Sequence, residues 1–415
     1  MKRISTNMPN NDMQYYMRLR EWKMNQVQNQ IADQTRIKEL RDDPVAAAHS
    51  VRYSSHIVRL NRFAKNIQSV QDSGRIAEGY LQESLSLMQR IREIAVTGAQ
   101  GTFTNQEKGY MAEEVDQLLQ EFIELANAQS GNGTMLFSGD NVFAKPYRIS
   151  MGHVTGSPGE VITSVDYVGT VKKNLVEISE GSFIESNFPG NMIFWAEQQQ
   201  LISDRDASAY QVLEDSSIRI DGKEIPLKAG DTVHAIIAKI NDSGAAVKAK
   251  MDPVQNSLVL QTTIPHQLWI EDGVNGTVFK DLGVLSSVGS LAPNNISPDA
   301  RLSGGSTFDM IIHLRDALYR GDTIDIGGSG LRGIDSAMNN LLTSLAELGA
   351  KDKRLETVGE RVAYEIPEMI QRNSKEVDLD LSEAITELKM LEYSHKAALQ
   401  TAGRILQPTL LDFLR

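Results

Sequence analysis

The chain has 415 residues, 41% of them hydrophobic and 6% aromatic, with a formal charge of −12 and no cysteine. That length allows two or three domains, and the missing thiols exclude disulfides, thiol catalysis and thiolate metal sites. The acidic balance disfavours nucleic acid as a partner, and no apolar run is long enough to span a bilayer.

The start, Met1 to Tyr16, lacks the apolar core of a cleavable secretory signal. From Asn11 a helical pattern places Met13, Met17, Met24, Val27 and Ile31 on one side, interrupted by Arg20 and Gln34. A methionine-rich seam of this kind is soft and adaptable. Asp43-Pro44 marks a restart, because Asp43 can cap and Pro44 suits the first helical position. The next pattern runs to Ala95 and halts at Gly98 and Gly101. Phe63, Val70, Ala77 and Ile91 share one heptad position, and Ile67, Gly74, Leu81, Met88 and Ala95 the interleaved one. A helix of about 50 residues is roughly 75 Å long, which predicts a rod. Thr104 and Glu107 predict a capping box for a helix with Met111, Val115, Leu118, Phe122 and Leu125 inward. Gly131-Asn132-Gly133-Thr134 then forms a turn cluster.

From about Met135 to Ser303 short β-runs take over. Ser217–Ile220 and Glu224–Leu227 alternate across Asp221-Gly222, a hairpin signal. Asp231 is expected to cap a helix through Ile240. Hairpins are expected between 247–251 and 258–261, and between 268–271 and 277–279. From about Thr307 helix returns, with Ile334, Leu341, Leu348, Leu355, Val362 and Met369 a heptad apart and Met338, Leu345 and Ile366 beside them. Pro367 should kink or end that helix. Asp380 with Glu383 caps a last helix whose apolar face is Leu381, Ile385, Leu388, Leu391, Leu399, Ala402 and Leu406.

A heptad seam cannot be buried by one helix alone. Two such seams at opposite ends of the chain predict that the ends pair. The expected fold is mainly α with an inserted α+β region: an antiparallel helical-bundle rod of N- and C-terminal helices carrying a β-rich protruding domain. The expected divisions are residues 1–43 and 374–415 (terminal coiled coil), 44–134 and 304–373 (rod), and 135–303 (insertion).

Little here points to catalysis. Gly328-Ser329-Gly330-Leu331-Arg332-Gly333 matches G-x-G-x-x-G literally, but no βαβ alternation surrounds it, and a glycine loop between helices is expected. The seven histidines are scattered; His49 and His56 lie a heptad apart, not at the i, i+4 spacing that holds zinc. Two formal glycosylation sequons, at Asn132 and Asn275, coincide with turns. No catalytic, cofactor or metal residue is assigned. Without a concentrated basic helix face, membrane binding is not expected.

Several stretches are similar to a known family. Arg3 to Met8 and Asp42-Asp43-Pro44-Val45-Ala46-Ala47 resemble elements of the flagellin-like axial proteins of bacterial flagella. Ala126-Asn127, Gly131 to Gly139 with its Leu136-Phe137-Ser138-Gly139 core, Lys145-Pro146-Tyr147, Val377 to Leu388 and Leu411 to Leu414 resemble the hook–filament junction group, hook-associated protein 3. The unit from Ser217 to Gln261 resembles a repeat in flagellin insertions. The family pattern places Ser-Gly near Asp33-Gln34-Thr35, where this chain has no glycine. The resemblance implies a non-enzymatic structural subunit, exported by the flagellar type III route. It implies residence in the bacterial flagellum, extracellular, or periplasmic where the flagellum is. The implied partners are further copies in a ring or tube, a neighbouring hook-associated protein, flagellin, and an export chaperone on the last helix. On that reading Met17, Met24, Ile31, Leu388, Leu399 and Leu406 form the assembly interface. A minor flagellin and a secreted coiled-coil adhesin or effector are the alternatives.

Overall fold

A computed structural model describes residues 8–39, 41–131, 133–273, 276–286 and 291–405. The predicted tail from Leu406 onward therefore lies outside the described residues. Long helices occupy both ends and a β-rich region the middle. The chain divides into two compact units, residues 1–65 with 358–415 and residues 66–357.

The first unit holds α1 (Met8–Asp33), the start of α2 (Pro44–Gly98), the end of α9 (Leu331–Val377) and α10 (Leu381–Ile405). Asp43 accepts from the Val45 and Ala46 amides, so the Asp-Pro restart is a capped helix start as expected. Asp380 does the same for Ser382 and Glu383 at α10. Pro367 neither ends nor interrupts α9. It removes one amide donor, but Pro367 and Ala363, whose carbonyl loses that donor, are both exposed, so water can replace the lost bond.

The second unit holds the rest of α2 and α9, α3 (Asn105–Ala126) and everything between α3 and α9. The heptad residues Ala77, Leu81, Met88, Ile91, Ile334, Leu341 and Leu348 are buried in one core. Ser84 fills the α2 heptad position between Ala77 and Ile91 and is fully buried. A Cβ on Gly74 would lie 3.6 Å from Leu348 Cδ1. Gln71 Nε2 donates to Asp352 at 3.3 Å and Arg92 pairs with Asp335 at 2.6 Å, fixing the register of α2 against α9. The Thr104–Glu107 capping box of α3 is present.

The β-rich part begins with the hairpins β1 (Tyr147–His153)/β2 (Glu160–Tyr167) and β3 (Leu175–Ser179)/β4 (Ser182–Glu185), followed by α4 (Gly190–Ile193) and β5 (Gln200–Ile202). Next come β6 (Ser216–Ile220), β7 (Lys223–Leu227), α5 (Val233–Asp242), β8 (Val247–Met251), β9 (Leu258–Thr262), β10 (Ile270–Asp272), α6 (Val278–Asp281) and β11 (Arg301–Ser303). Two antiparallel sheets result, β10-β6-β7 and β11-β5-β9-β8. The β6–β7 turn has left-handed Asp221 and Gly222, as its sequence requires. α7 (Thr307–Arg320), with its own Ser306–Asp309 capping box, then leads through α8 (Thr323–Asp325) back to α9.

Two local expectations fail. Residues 277–279 do not pair with 268–271; β10 pairs with β6, and 278–281 is helical. Asp272 explains the change, because its carboxylate accepts from the Phe279 and Lys280 amides and so nucleates a helical turn. At α5 the N-cap is Thr232, and Asp231 instead receives the Lys228 amide and the Lys239 ammonium.

The unit boundaries are at residues 65/66 and 357/358. They lie inside α2 and α9, and 66–357 is one unit because its helices and the first part of the β-region share a core. Phe122 of α3, Phe137, Phe194 and Phe308 of α7 meet edge to face or tilted, with centroids 5.2–6.0 Å apart. Only from Leu201 onward does a separate core form, around Ile218, Ile236, Leu258 and Phe279.

Candidate assembly surface

Within the first unit α1 packs against α10. On α1 Met13, Met17, Arg20, Met24, Val27 and Ile31 are half-covered or buried and make one stripe at helical spacing. On α10 Ala384, Leu388, Leu391, Ser394, His395 and Ala398 are half-covered or buried. Arg20 donates to the Ser394 carbonyl at 3.1 Å, and His395 Nε2 lies 3.8 Å from Glu21.

A second apolar stripe on α1, and apolar residues on both flanks of α10, stay in solvent. Tyr15, Tyr16, Leu19 and Trp22 are exposed on α1, with the two tyrosine rings in edge contact at 5.6 Å. Leu381, Ile385, Met390, Tyr393 and Leu399 are exposed on α10. Contiguous exposed aromatic and aliphatic surface of this kind marks an interaction site.

The expected interface residues therefore separate into two groups. Met17, Met24, Ile31 and Leu388 are half-buried on the stripes where α1 and α10 meet inside one chain, whereas Leu399 is exposed. Leu406 lies outside the described residues. The aromatic residues are the stripe that sequence reasoning missed. Their signal was the i, i+4, i+7 spacing of Tyr15, Leu19 and Trp22, which competes with the methionine stripe.

The connections beside this surface are tied together by backbone. Arg36 N donates to Val377 O at 2.7 Å and Leu379 N to Gln34 O at 3.2 Å, around a bridge between Thr35 and Asp378. The Arg36 guanidinium reaches the Glu376 carbonyl at 2.8 Å and Asp43 at 3.5 Å, and Gln30 Nε2 donates to Arg36 O at 2.8 Å. Gln34 takes φ 57°, so a non-glycine residue supplies the left-handed turn where glycine would be cheapest. Amide donors of Glu39 and Lys38 hold the Asp42 carboxyl below its ordinary value, and the Ala46 amide does the same for Asp43.

The Leu-Phe-Ser-Gly stretch sits in the second unit as a packing hub. Leu136, Phe137 and Ser138 are buried, and Phe137 O accepts from Tyr167 Oη at 3.1 Å and Gly190 N at 2.8 Å. Gly139 has φ 75°, and a Cβ there would lie 2.1 Å from the Thr170 carbonyl oxygen, so no other residue fits.

The G-x-G-x-x-G match is not a nucleotide loop. The preceding run is helix α8, not a strand, and Ile326–Gly330 is π-helical and leads directly into α9. Two of its glycines permit close packing: a Cβ on Gly330 would lie 3.2 Å from Leu314 Cδ1, and one on Gly333 would lie 2.5 Å from Met310 Sδ. Among the described residues no group of three His, Asp or Glu could hold a metal, and no helix is long and apolar enough to cross a membrane.

Two stretches of the chain, one in the N-terminal helices and one in the β-rich middle, match flagellin models. Residues 4–142 match the bacterial flagellin N-terminal helical region and residues 214–263 the flagellin hook IN motif. The chain is 35% identical over 104 residues to the flagellar filament 33 kDa core protein of Treponema phagedenis, 25% of this chain and 36% of that protein. It thus spans about a third of the length of such relatives. It is 22% identical to polar flagellin C of Vibrio parahaemolyticus over 403 residues, 95% of this chain and 94% of that one. Among solved structures it is similar to the flagellar hook associated protein-3 of Legionella pneumophila, with 16% identity, a TM-score of 0.47, and 78% of this chain and 97% of that chain covered.

Proposed function

We propose that the chain is a structural subunit of the bacterial flagellum that joins hook to filament. The observation that supports this best is the exposed apolar surface of α1 and α10, Tyr15, Leu19, Trp22, Ile385, Met390 and Tyr393, in a chain whose first third matches flagellins. An isolated molecule leaves these faces in water; a neighbouring copy covers them. Contacts of one stripe on a different stripe are head-to-tail and generate rings or filaments. Leu399 belongs to this surface, while Met17, Met24, Ile31 and Leu388 act by holding the α1–α10 pair together. The neighbours are further copies, an adjacent hook-associated protein and flagellin. The subunit reaches the flagellum, external or periplasmic, through the flagellar export route. An export chaperone covers α10 beforehand, so truncation after Asp380 should abolish its binding; unchanged affinity would remove the chaperone from the account.

A minor flagellin is the second reading, favoured by the near full-length match to polar flagellin C. A deletion strain separates the two. Loss of a junction protein releases flagellin into the medium and leaves hooks intact. Filaments that stay attached to the hooks overturn the junction reading.

A further inference from the structure

The four-stranded sheet of the second unit has one face in the Leu201–Leu260 core and an opposite face that is exposed along its rims, while Val259 at its centre is buried. Its registers place Lys250, Val259, Ile202 and Arg301 in one row across β8, β9, β5 and β11, and Lys248, Gln261, Gln200 and Ser303 in the next. These eight positions hold three cations and no acid, in a chain of net charge −12. Lys248, Lys250 and Arg301 are exposed and enter no ion pair or side-chain hydrogen bond among the described residues. The acids nearest in sequence, Asp204, Asp252 and Asp299, lie beyond the strand ends, and Asp252 receives the Gln255 amide.

The geometry narrows the partner. Adjacent strands lie about 4.8 Å apart, so Arg301 stands about 14 Å from Lys250, while Lys248 and Lys250 are about 6.7 Å apart along β8. Cations on opposite rims cannot converge on one phosphate. The face has no aromatic ring on which a base or sugar could stack. What fits is a surface with carboxylates spaced over about 14 Å, the width of the sheet.

We infer that this face docks the acidic surface of a second copy of the chain, as a lateral contact in the assembled state. The inference rests on the assembly reading above. Copies of charge −12 held side by side repel one another, and a basic face set against a neighbour's carboxylates turns that repulsion into a directional contact. The face covers only about 100 Å² by strand spacing, against the roughly 800 Å² per partner of a stable interface. It therefore does not dimerise free chains, and acts where the terminal helices already hold copies together.

The test uses full-length chains, half of them ¹⁵N-labelled, allowed to assemble and then treated with a carbodiimide that joins amines to contacting carboxylates. Mixed-isotope peptides containing Lys248 or Lys250 are expected. The reversal Lys248→Glu/Lys250→Glu/Arg301→Glu should lower the assembled yield about tenfold at low salt, with the deficit vanishing near 1 M, where the screening length is about 3 Å. Where reversal lowers the monomer's melting temperature, the Lys248→Gln/Lys250→Gln/Arg301→Gln variant replaces it. Assembly without coupling at these lysines, or with wild-type yield from the variant, overturns this face alone. A wild-type chain that never assembles overturns the assembly reading and this contact with it.

Discussion

Trp22 offers the sharpest test of the exposed stripe. It is 56% exposed on α1, and a tryptophan carries about 200 Å² of surface. A neighbouring copy can thus remove about 110 Å² from water, worth up to about 2.8 kcal/mol at 25 cal/mol/Å². Trp22→Ala should therefore raise the critical concentration for assembly, measured by sedimentation, by as much as about a hundredfold. The monomer should not suffer, since Trp22 is not on the α1 stripe that meets α10 and alanine is the better helix former. Its melting temperature should stay unchanged or rise. Val27→Ala should show the converse, because Val27 is buried and its loss weakens the helix pair itself. A wild-type critical concentration for Trp22→Ala, or a lower melting temperature, would refute the assignment of this stripe to contacts between copies.

Three further outcomes follow from the second unit. Arg315 is fully buried and pairs with Asp116 at 2.6 Å across α3 and α7, so Arg315→Met should cost about 3–5 kcal/mol by denaturant unfolding. Arg315→Met/Asp116→Leu should recover most of that loss. Gly139→Ala should cost about 1–3 kcal/mol from its left-handed backbone alone, and more through the clash with Thr170, read as a lowered melting temperature. Burial pushes the Glu185 carboxyl up, but pairing with Lys173 at 2.7 Å and Lys351 at 3.0 Å outweighs it, leaving the group below its ordinary 4.5. A depressed folded value means the stabilisation is complete above 4.5 and fades as pH falls through the folded value. Glu185→Gln should flatten the fall in melting temperature below pH 4.5; an unchanged slope would remove these pairs from the acid response.

Features governed by local chemistry were legible in the chain. The heptads from Phe63 to Ala95 and from Ile334 to Val362 specify buried seams because nothing but burial selects that spacing. Asp43-Pro44, the Thr104–Glu107 box and Asp221-Gly222 each dictate a backbone conformation within four residues. What was hidden depends on distant partners. Nothing near Ile270 announces that it pairs with Ile220, fifty residues earlier, rather than with the run that follows it. Pro367 looks like a stop until the helix proves exposed there. The same holds on α1: the methionine stripe was read from its spacing, but the competing spacing of Tyr15, Leu19 and Trp22 was not. The structure gives α10 the methionines and leaves the aromatic rings exposed.

The stitching at Gln34–Arg36 and Val377–Leu379 carries a consequence for transit. Because main chain is fastened to main chain there, neither tip can be withdrawn without loosening the seat of its mate. On the export reading proposed above, a carrier gripping α10 alone would deprive α1 of its opposite half, and the two would pair only once it let go.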